Sequence, residues 1–512
     1  MWYYSFVMNK IIEYSMEKYF KIRAIKSSSW IKKQVDTQKY ILLKNVLIAQ
    51  NTLFGKEHFF GSIKSIKDFQ KKVPISTYED LYPYIKKMIE GQSDILWAKK
   101  ITMFAKSSGT TNDTSKYIPV SLDGLTENHY KGGKDLYTSF FIQYPKNNLL
   151  KDKGCVFSLG GSMSSHSNDL QIGDISALLM SNIPIWAKAY REPSIKVALI
   201  KDWKSKIPAM IQDTIGKNIT HISGVPTWFV SLFDEMKKTN SYTTLRDVWP
   251  NLELFIHGAV SFRPYEKIFK DLLPFDDMKY LEVYSASEGF FAFQDDLTIK
   301  GEMLLLTNHG IFYEFIPMDS YWKSNQKIVT LADVGVGLNY AMIITTNSGL
   351  WRYDIGDTVM FTSKTPYRIK ITGRTKQCIN TFGEELMVGN TDQGVAETSQ
   401  KHDCVVAHYT AAPIFMDKHG KGGHQWVIEF KKKPMDVALF QKDLDLCLRK
   451  LNSDYDAKRQ NNIALQELKI KIVSEGIFIK WLEKKGKLGG QHKVPKLSNE
   501  RNHVQEILDL AY

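Results

Sequence analysis

Short apolar runs alternate with longer amphipathic segments between residues 150 and 345, and this pattern dominates the sequence. The runs have the length and composition of buried strands. They lie at residues 155–159, 219–222, 252–256, 280–284, 303–306 and 341–345. The segments between them, such as 228–236 and 265–272, repeat apolar residues at helical spacing and fit crossover helices. The alternation predicts an α/β fold in which helices flank the β-sheets of a large multi-layer domain.

The first 90 residues carry a helical pattern. Residues 1–60 mix aromatic and aliphatic residues with Lys and Glu at helical spacing, which predicts packed helices. Farther along, Ser76 followed by Glu79 has the spacing of a capping box, and Gly91 is a suitable stop signal. The helix expected between them has one apolar face, which is formed by Leu81, Ile85, Met88 and Ile89.

The pattern changes again near the sequence G-R-T-K at residues 373–376. Beyond it, strands are expected at 424–430 and 468–473 and helices at 437–451 and 476–483. These elements predict a separate small α+β domain. We therefore divide the chain into a large N-terminal domain (1–372), a hinge (373–377) and a small C-terminal domain (378–512).

Composition narrows the class of protein only slightly. The chain has 512 residues, of which 43% are hydrophobic, so a large core is possible. The net charge of +13 suits a nucleotide, a nucleic acid or an acidic membrane surface, but the Lys residues are scattered. Four widely spaced cysteines form no C-x-x-C pair, which is typical of reduced cytosolic thiols. No export signal and no apolar run of membrane-spanning length are found, so we expect a cytoplasmic protein.

A cluster of hydroxyl-bearing residues around a glycine follows the apolar run 101–105. Glycine lets the backbone approach an anion, successive N–H groups can point inward, and hydroxyl groups add donors. The spacing of a Walker loop is absent, so a P-loop NTPase is not supported. Taken alone, such a cluster is more typical of a solvated turn. The candidate anion-binding residues are Ser107, Ser108, Gly109, Thr110, Thr111 and the nearby Lys116.

Several predicted strands end in polar or glycine-rich turns. In α/β sheets ligands bind at the carboxyl ends of strands, so these turns could line one crevice. Every strand also needs a turn, and that simpler explanation stays open for each of them. The turns begin at Ser158, Ser223, His257 and Ser285, and the last of them includes Glu288.

Three distant segments together resemble one family. They are S-S-G-T-T at 107–111, Y-S-A-S-E-G at 284–289 and W-R-Y-D-I-G-D at 351–357. In this order and spacing they are similar to the auxin-responsive acyl acid amido synthetases, the Gretchen Hagen family of the adenylate-forming superfamily. Further matching pieces are P-I-S-T-Y-E-D at 74–80, S-G-V-P-T-W at 223–228, F-Y-E-F-I-P at 312–317 and G-G-Q-H-K-V-P-K at 489–496. The sequence departs from the family pattern at Asp113, which lies near an expected glycine, and at Asp354, where an arginine is common.

The resemblance implies that ATP and Mg²⁺ are the cofactors. Ser107 to Thr111 would hold phosphates with help from Lys116, and Glu288 would bind Mg²⁺. Asp357 would accept the ribose hydroxyl groups. Lys493 is the expected catalytic lysine of the mobile domain, and a solvated basic face is its alternative.

The resemblance also suggests residues around the adenine and the acyl substrate. Those expected near the nucleotide are Gly258, Ala259, Tyr284, Ser285 and Arg374. Those expected near the acyl group are His166, Trp228 and Tyr313. Each of these side chains could instead serve ordinary packing.

The implied activity is that of an ATP-dependent ligase. It would adenylate a small carboxylic acid and transfer the acyl group to the amine of an amino acid. We expect a monomer that binds no nucleic acid. The alternatives are an acyl-CoA ligase of the same superfamily and a non-catalytic basic protein that binds nucleic acid or membrane.

Overall fold

The computed structural model describes residues 2–107, 116–166, 169–239, 242–259, 262, 265–375, 378–379, 381, 384, 386–415, 422–459, 465–485 and 494–511. The chain forms two compact units. The first consists of Met1–Val260, Lys267–Ile355 and Met360–Lys370, and the second of Ser261–Glu266, Gly356–Val359 and Ile371–Tyr512. The hinge at 373–377 stays a prediction. Across the described residues, no helix combines the length and hydropathy that crossing a membrane requires.

The helices of the first unit begin with two long ones, in the N-terminal residues for which packed helices were predicted. In chain order the helices are α1 (Trp2–Ile31), α2 (Gln34–Ala49), α3 (Leu53–Glu57), α4 (Ile66–Lys72), α5 (Tyr78–Ile89), α6 (Tyr130–Gln143), α7 (Ile175–Ser181), α8 (Ile185–Lys188), α9 (Ile195–Ala198), α10 (Trp203–Thr214), α11 (Pro226–Thr239), α12 (Glu266–Leu272) and α13 (Met318–Tyr321). A π-helical turn, Gly124–His129, leads directly into α6.

Strands build one small sheet and one large sheet. They are β1 (Met103–Ser107), β2 (Lys116–Val120), β3 (Cys155–Leu159), β4 (Met163–His166), β5 (Gln171–Gly173), β6 (Arg191–Glu192), β7 (Ile219–Gly224), β8 (Leu254–Gly258), β9 (Lys279–Ala286), β10 (Gly289–Phe293), β11 (Met303–Leu305), β12 (Ile311–Pro317), β13 (Val329–Thr330), β14 (Asn339–Thr346), β15 (Tyr353–Lys364) and β16 (Tyr367–Arg374). The six apolar runs all correspond to strands, within about two residues at each end.

The large sheet is parallel at one end and antiparallel at the other. Its strand order is β13-β12-β14-β15-β16-β11-β10-β9-β8-β7-β3-β6. The strands from β6 to β9 in this order are parallel, and those from β9 to β11 are antiparallel. All five residues of β8 are buried, as expected for a strand covered on both faces. The small sheet has the order β2-β1-β5-β4. The predicted α/β fold is confirmed.

Helix α5 begins one residue later than the predicted capping box. The N-cap is Thr77, whose hydroxyl accepts from the Asp80 N–H while the Asp80 carboxylate accepts from the Thr77 N–H. Ser76 is buried and extended instead, because its N–H and C=O bond to the backbone of Arg352 and Asp354. The prediction of Ser76 and Glu79 as the cap was therefore wrong. The helix does end before Gly91, which has a φ of 91°.

Amide side chains on α2 complete the large sheet where β11 ends and β12 begins. The Gln38 amide donates to the carbonyls of Thr307 and Ile311 at 2.9 and 2.8 Å and accepts from the Tyr313 N–H at 2.8 Å. Asn45 donates to the Gly310 carbonyl. Backbone groups that lack a neighbouring strand are thereby satisfied by a helix.

The second unit has its own α+β core. Its described elements are β17 (Cys378–Ile379), β18 (Leu386–Met387), α14 (Val388–Lys401), β19 (Val405–Ile414), β20 (Gly423–Lys432), α15 (Val437–Leu451), α16 (Ser453–Arg459), β21 (Lys469–Val473), α17 (Ile477–Lys484) and α18 (Asn502–Ala511). β20 lies between antiparallel β19 and parallel β21. Trp426 of β20 is fully buried in a cluster with Phe440 and Leu444 of α15. The predicted strands and helices of this unit are all present.

Candidate active site

The predicted anion-binding segment is bounded by a hairpin of the small sheet. Strands β1 and β2 are antiparallel, and their register places Ser107 directly opposite Lys116. Ser108, Gly109, Thr110 and Thr111 lie outside the described residues, as does Asp113, and Ser107 is described only through its backbone. Their roles stay predictions.

Lys116 lies among aromatic rings at the end of this hairpin. Its Nζ is 3.4 Å from the Tyr353 hydroxyl, to which it donates, and 5.2 Å from the centre of the Tyr78 ring. Burial raises the pKa of Tyr78 to about 12, so this phenol stays neutral beside the ammonium group. Cation–π contact and one hydrogen bond therefore hold the Lys116 charge near the segment it was predicted to serve.

Glu288 lies in a two-residue turn between β9 and β10. The register pairs Ala286 with Gly289, so only Ser287 and Glu288 form the connection. The Glu288 side chain is half-buried, whereas Tyr284 is buried and packs on Phe291 with ring centres 4.8 Å apart. Because the turn between the two strands is tight, the backbone of Glu288 has a defined position at the carboxyl end of β9.

Gly258 ends β8, the neighbour of β9, and Ala259 follows it. A Cβ atom at Gly258 would lie 2.4 Å from the Val283 carbonyl oxygen, so only glycine fits there. Ala259 is exposed and has a φ of 69°, which is uncommon for a residue with a side chain. Ala259 thus lies exposed at the carboxyl end of β8, beside β9.

The three residues predicted near the acyl group lie in different surroundings. Trp228 on α11 is half-buried, and its ring centre is 5.4 Å from that of Trp203 on α10. Tyr313 is fully buried, its hydroxyl donates to the Leu306 carbonyl at 3.3 Å, and burial raises its pKa. The side chain of Tyr313 is therefore part of the core. His166 ends β4, and its side chain lies outside the described part of the chain.

In the second unit, Asp357 and Arg374 form an ion pair. The Arg374 Nε donates to the Asp357 Oδ1 at 2.7 Å, and the arginine is more exposed than the carboxylate. Nearby, the Thr375 N–H donates to the Gly356 carbonyl at 2.8 Å. Lys493 lies outside the described residues, so its catalytic role stays a prediction.

The departure from the family pattern at Asp354 has a structural explanation in the first unit. The Asp354 carboxylate accepts a hydrogen bond of 2.6 Å from the hydroxyl of Tyr321, at the end of α13. A carboxylate that accepts from a phenol links α13 to the start of β15. Asp354 therefore has a local partner that an arginine could not use in the same way.

Sequence reasoning missed a buried ion pair that joins two of the family-like segments. Arg352 donates from Nε and Nη2 to the two carboxylate oxygens of Glu314 at 2.8 and 3.0 Å, and both residues are buried. Its Nη1 donates to the Val73 carbonyl at 2.8 Å. The only signal in the sequence was one charged residue within each of two apolar segments, F-Y-E-F-I-P and W-R-Y.

Sequence reasoning also missed Lys206, a buried lysine of α10 that contacts the two glycines after β3. The Lys206 Nζ donates to the carbonyls of Gly160 and Gly161 at 2.6 and 2.9 Å. Burial lowers the pKa of the Lys206 ammonium to about 8, while the two acceptors hold it in place. Helical spacing on α10 could have shown that Lys206 falls on the inner face with Met210.

A single carboxylate such as that of Glu288 fits Mg²⁺ that arrives with a nucleotide. Within the described ranges, no group of three or more His, Cys, Asp or Glu side chains is placed to hold a metal by itself. Mg²⁺ usually takes one or two carboxylates and completes its shell with phosphate oxygens and water. Glu288 supplies one such carboxylate, and the Lys116 ammonium group supplies a positive charge suited to phosphate.

Comparison with known proteins decides the family. Models of the GH3 family N-terminal, central and C-terminal domains match residues 26–278, 304–374 and 389–502, respectively. The chain belongs to the GH3 family. The resemblance to this family that the sequence motifs indicated is therefore confirmed.

Relatives within the GH3 family match over nearly their full length. Indole-3-acetic acid-amido synthetase GH3.4 of Arabidopsis thaliana is 21% identical in an alignment of 558 positions, gaps included. The alignment covers 93% of this chain and 91% of that protein. The 4-substituted benzoates-glutamate ligase GH3.12 of Arabidopsis thaliana is 22% identical and covers 86% of this chain and 88% of its own length.

Solved structures show that the fold is shared more widely. A GH3.15 acyl acid amido synthetase superposes with a TM-score of 0.76 at 16% identity over 94% of both chains. A 2-hydroxyisobutyryl-CoA ligase in complex with 2-HIB-AMP superposes with a TM-score of 0.58 at 12% identity, over 92% of this chain and 91% of its own. The fold is therefore that of adenylate-forming ligases.

Proposed function

We propose that this GH3 protein is an ATP-dependent acyl acid–amino acid ligase that works through an acyl-adenylate. The observation that carries the proposal is the match of three consecutive GH3 domain models, together with Glu288 in the tight turn after β9. The curated relatives are named amido synthetases and a benzoate–glutamate ligase. The substrates are then a small carboxylic acid, an amino acid and ATP.

In the first half-reaction the substrate carboxylate attacks the α-phosphorus of ATP and pyrophosphate leaves. Two anions must meet, so the protein has to supply positive charge and oriented donors. Lys116 supplies a charge held by Tyr353 and Tyr78. We assign Glu288 to Mg²⁺, which when bound would offset charge on the phosphates. We assign Asp357, held by Arg374, to the ribose hydroxyl groups.

In the second half-reaction the amine of an amino acid attacks the acyl carbon. The new C–N bond replaces the acyl–phosphate bond, AMP leaves, and the amine releases a proton to solvent. We propose that Lys493 serves the first half-reaction and that the segment 373–377 acts as a hinge between the two. Trp228 and His166 remain our candidates near the acyl group. We also propose a monomer that acts in the cytoplasm.

The runner-up is an acyl-CoA ligase, because a CoA ligase shares the fold. It would form the same adenylate and differ only in the nucleophile. The amino acid is favoured because the relatives that match the chain over most of its length are named as amide-forming enzymes. A non-catalytic basic protein is the third candidate, and it predicts no stabilisation by Mg·ATP.

The test is pyrophosphate release from ATP with a panel of carboxylic acids. Hydroxylamine trapping would detect the adenylate, and adding amino acids or CoA in turn would identify the acceptor. Asp357→Ala and Glu288→Ala should each reduce pyrophosphate release by at least about a hundredfold, since each removes a ligand of the nucleotide or its metal. Turnover near that of the wild type in either variant would remove that residue from the proposed site.

A further inference from the structure

The backbone just after Glu288 is held by one side chain from a distant part of the chain. Strand β11 pairs with Ala292 and Phe293 of β10 and stops before it reaches Phe290. Asn128 replaces the missing strand. Its Oδ1 accepts from the Phe290 N–H at 2.7 Å, and its Nδ2 donates to the Phe290 carbonyl at 3.1 Å.

Asn128 is itself fixed in place. It is buried in the π-helical turn Gly124–His129, and its Nδ2 also donates to the His309 carbonyl at 2.9 Å. Both amide hydrogens and the amide oxygen are therefore used. A π-helical turn is rare and is often found at functional sites. Here the turn brings one amide side chain into the position of a strand backbone.

The hairpin packs tightly against this amide. A Cβ atom at Gly289 would lie 3.3 Å from the Asn128 Oδ1 and 2.6 Å from the Ile311 Cδ1. A larger residue at this position would therefore push the hairpin away from Asn128 and Ile311. Glu288 precedes Gly289 and has only Ser287 between itself and β9. The direction of the Glu288 side chain is thus set by two strand ends, and Asn128 fixes one of them.

We propose that Asn128 is a positioning residue for Glu288, which orients its carboxylate for Mg²⁺ through the backbone of Phe290. This inference rests on the proposed function, because it needs Glu288 to be the metal ligand. Groups that orient a metal ligand commonly change metal affinity about 10- to 100-fold when they are removed. Loss of the amide should therefore weaken Mg²⁺ binding without removing any group that contacts ATP.

The test compares two buried amides with the same bonding pattern. Asn128→Leu and Gln38→Leu each remove three hydrogen bonds to backbone groups in or beside the large sheet, but those of Gln38 go to Thr307, Ile311 and Tyr313 and none goes to the hairpin that carries Glu288. We expect Asn128→Leu to raise the Mg²⁺ concentration for half-maximal pyrophosphate release about tenfold, whereas Gln38→Leu leaves it unchanged. Calorimetric titration of Mg²⁺ into protein with ATP and no acyl acid should show the same shift.

Amide hydrogen exchange provides a readout besides activity. Exchange at Gly289 and Phe290 should be faster in Asn128→Leu than in Gln38→Leu. If Asn128→Leu does not fold, Asn128→Asp serves instead, because it keeps the acceptor for Phe290 and loses both donors. A wild-type Mg²⁺ affinity in the folded variant would overturn the proposal. Failure of the wild-type protein to bind Mg·ATP would instead overturn the proposed function.

Discussion

Lys116 shows how a single residue gains a defined role from its register. Lys106 and Lys116 both lie where the chain connects β1 to β2, but Lys106 is opposite Tyr117 and Lys116 is opposite Ser107. Successive side chains of a strand point to opposite faces, so the two lysines project in different directions. Only Lys116 lies against the rings of Tyr78 and Tyr353.

We expect Lys116→Gln to raise the KM for ATP about tenfold, because it removes a positive charge from the proposed phosphate site. Lys106→Gln removes the same charge from the other face of the hairpin and should leave the KM within about twofold of the wild type. Steady-state pyrophosphate release at varied ATP measures both. An equal rise in both variants would show that Lys116 contributes only to the general positive potential.

The ion pair between Glu314 and Arg352 acts at the scale of elements. It connects the middle of β12 to the residue just before β15, and Arg352 also reaches the Val73 carbonyl beyond α4. Arg352 adopts a φ of 43°, a conformation that costs free energy for a residue with a side chain. The buried carboxylate compensates the charge that this conformation brings into the core.

Glu314→Ala should lower the free energy of unfolding by about 3–5 kcal/mol, because it leaves the Arg352 guanidinium buried without its counter-charge. Asp295→Ala is the matched control. Arg368 binds the Asp295 carboxylate with the same two-bond geometry, at 2.9 and 2.8 Å, but both side chains are partly exposed. That variant should lose only about 1 kcal/mol. Urea unfolding measures both, and similar losses would contradict the role of burial.

At the scale of the whole molecule, several buried histidines make stability depend on pH. Burial lowers the pKa of His129 to about 4 and the pKa values of His221 and His257 to about 3. The unfolded chain binds protons at these residues below about pH 6.5, whereas the folded chain does not. Their contribution to stability is therefore complete above pH 6.5 and is lost as the pH falls toward 3 to 4.

The free energy of unfolding should fall by about 2 kcal/mol for each of the three histidines between pH 7 and pH 5. His221→Gln removes one of these titrations, although it also changes the contacts with Tyr137 and Thr220. Its stability should fall about 2 kcal/mol less than that of the wild type over the same interval. Urea unfolding at the two pH values tests this, and an identical pH dependence in both proteins would refute it.

Much of the fold could be predicted from the sequence because local patterns carry it. Apolar runs between amphipathic segments marked the strands of the large sheet, and the helix 437–451 was predicted with its observed bounds. The exact cap of α5 could not be predicted in this way. Ser76 and Thr77 both suit an N-cap, and only the pairing of Ser76 with Arg352 and Asp354 selects Thr77.

The sequence by itself determined the class of fold, the family and the residue types available for nucleotide chemistry, since these depend on composition, periodicity and motifs read along the chain. Only the tertiary structure decided that Asn128 holds the strand after Glu288 and that Glu314 neutralises Arg352. The physical reason is that buried polar groups must find partners, and those partners lie 162 and 38 residues away. No local pattern specifies a contact over such a distance.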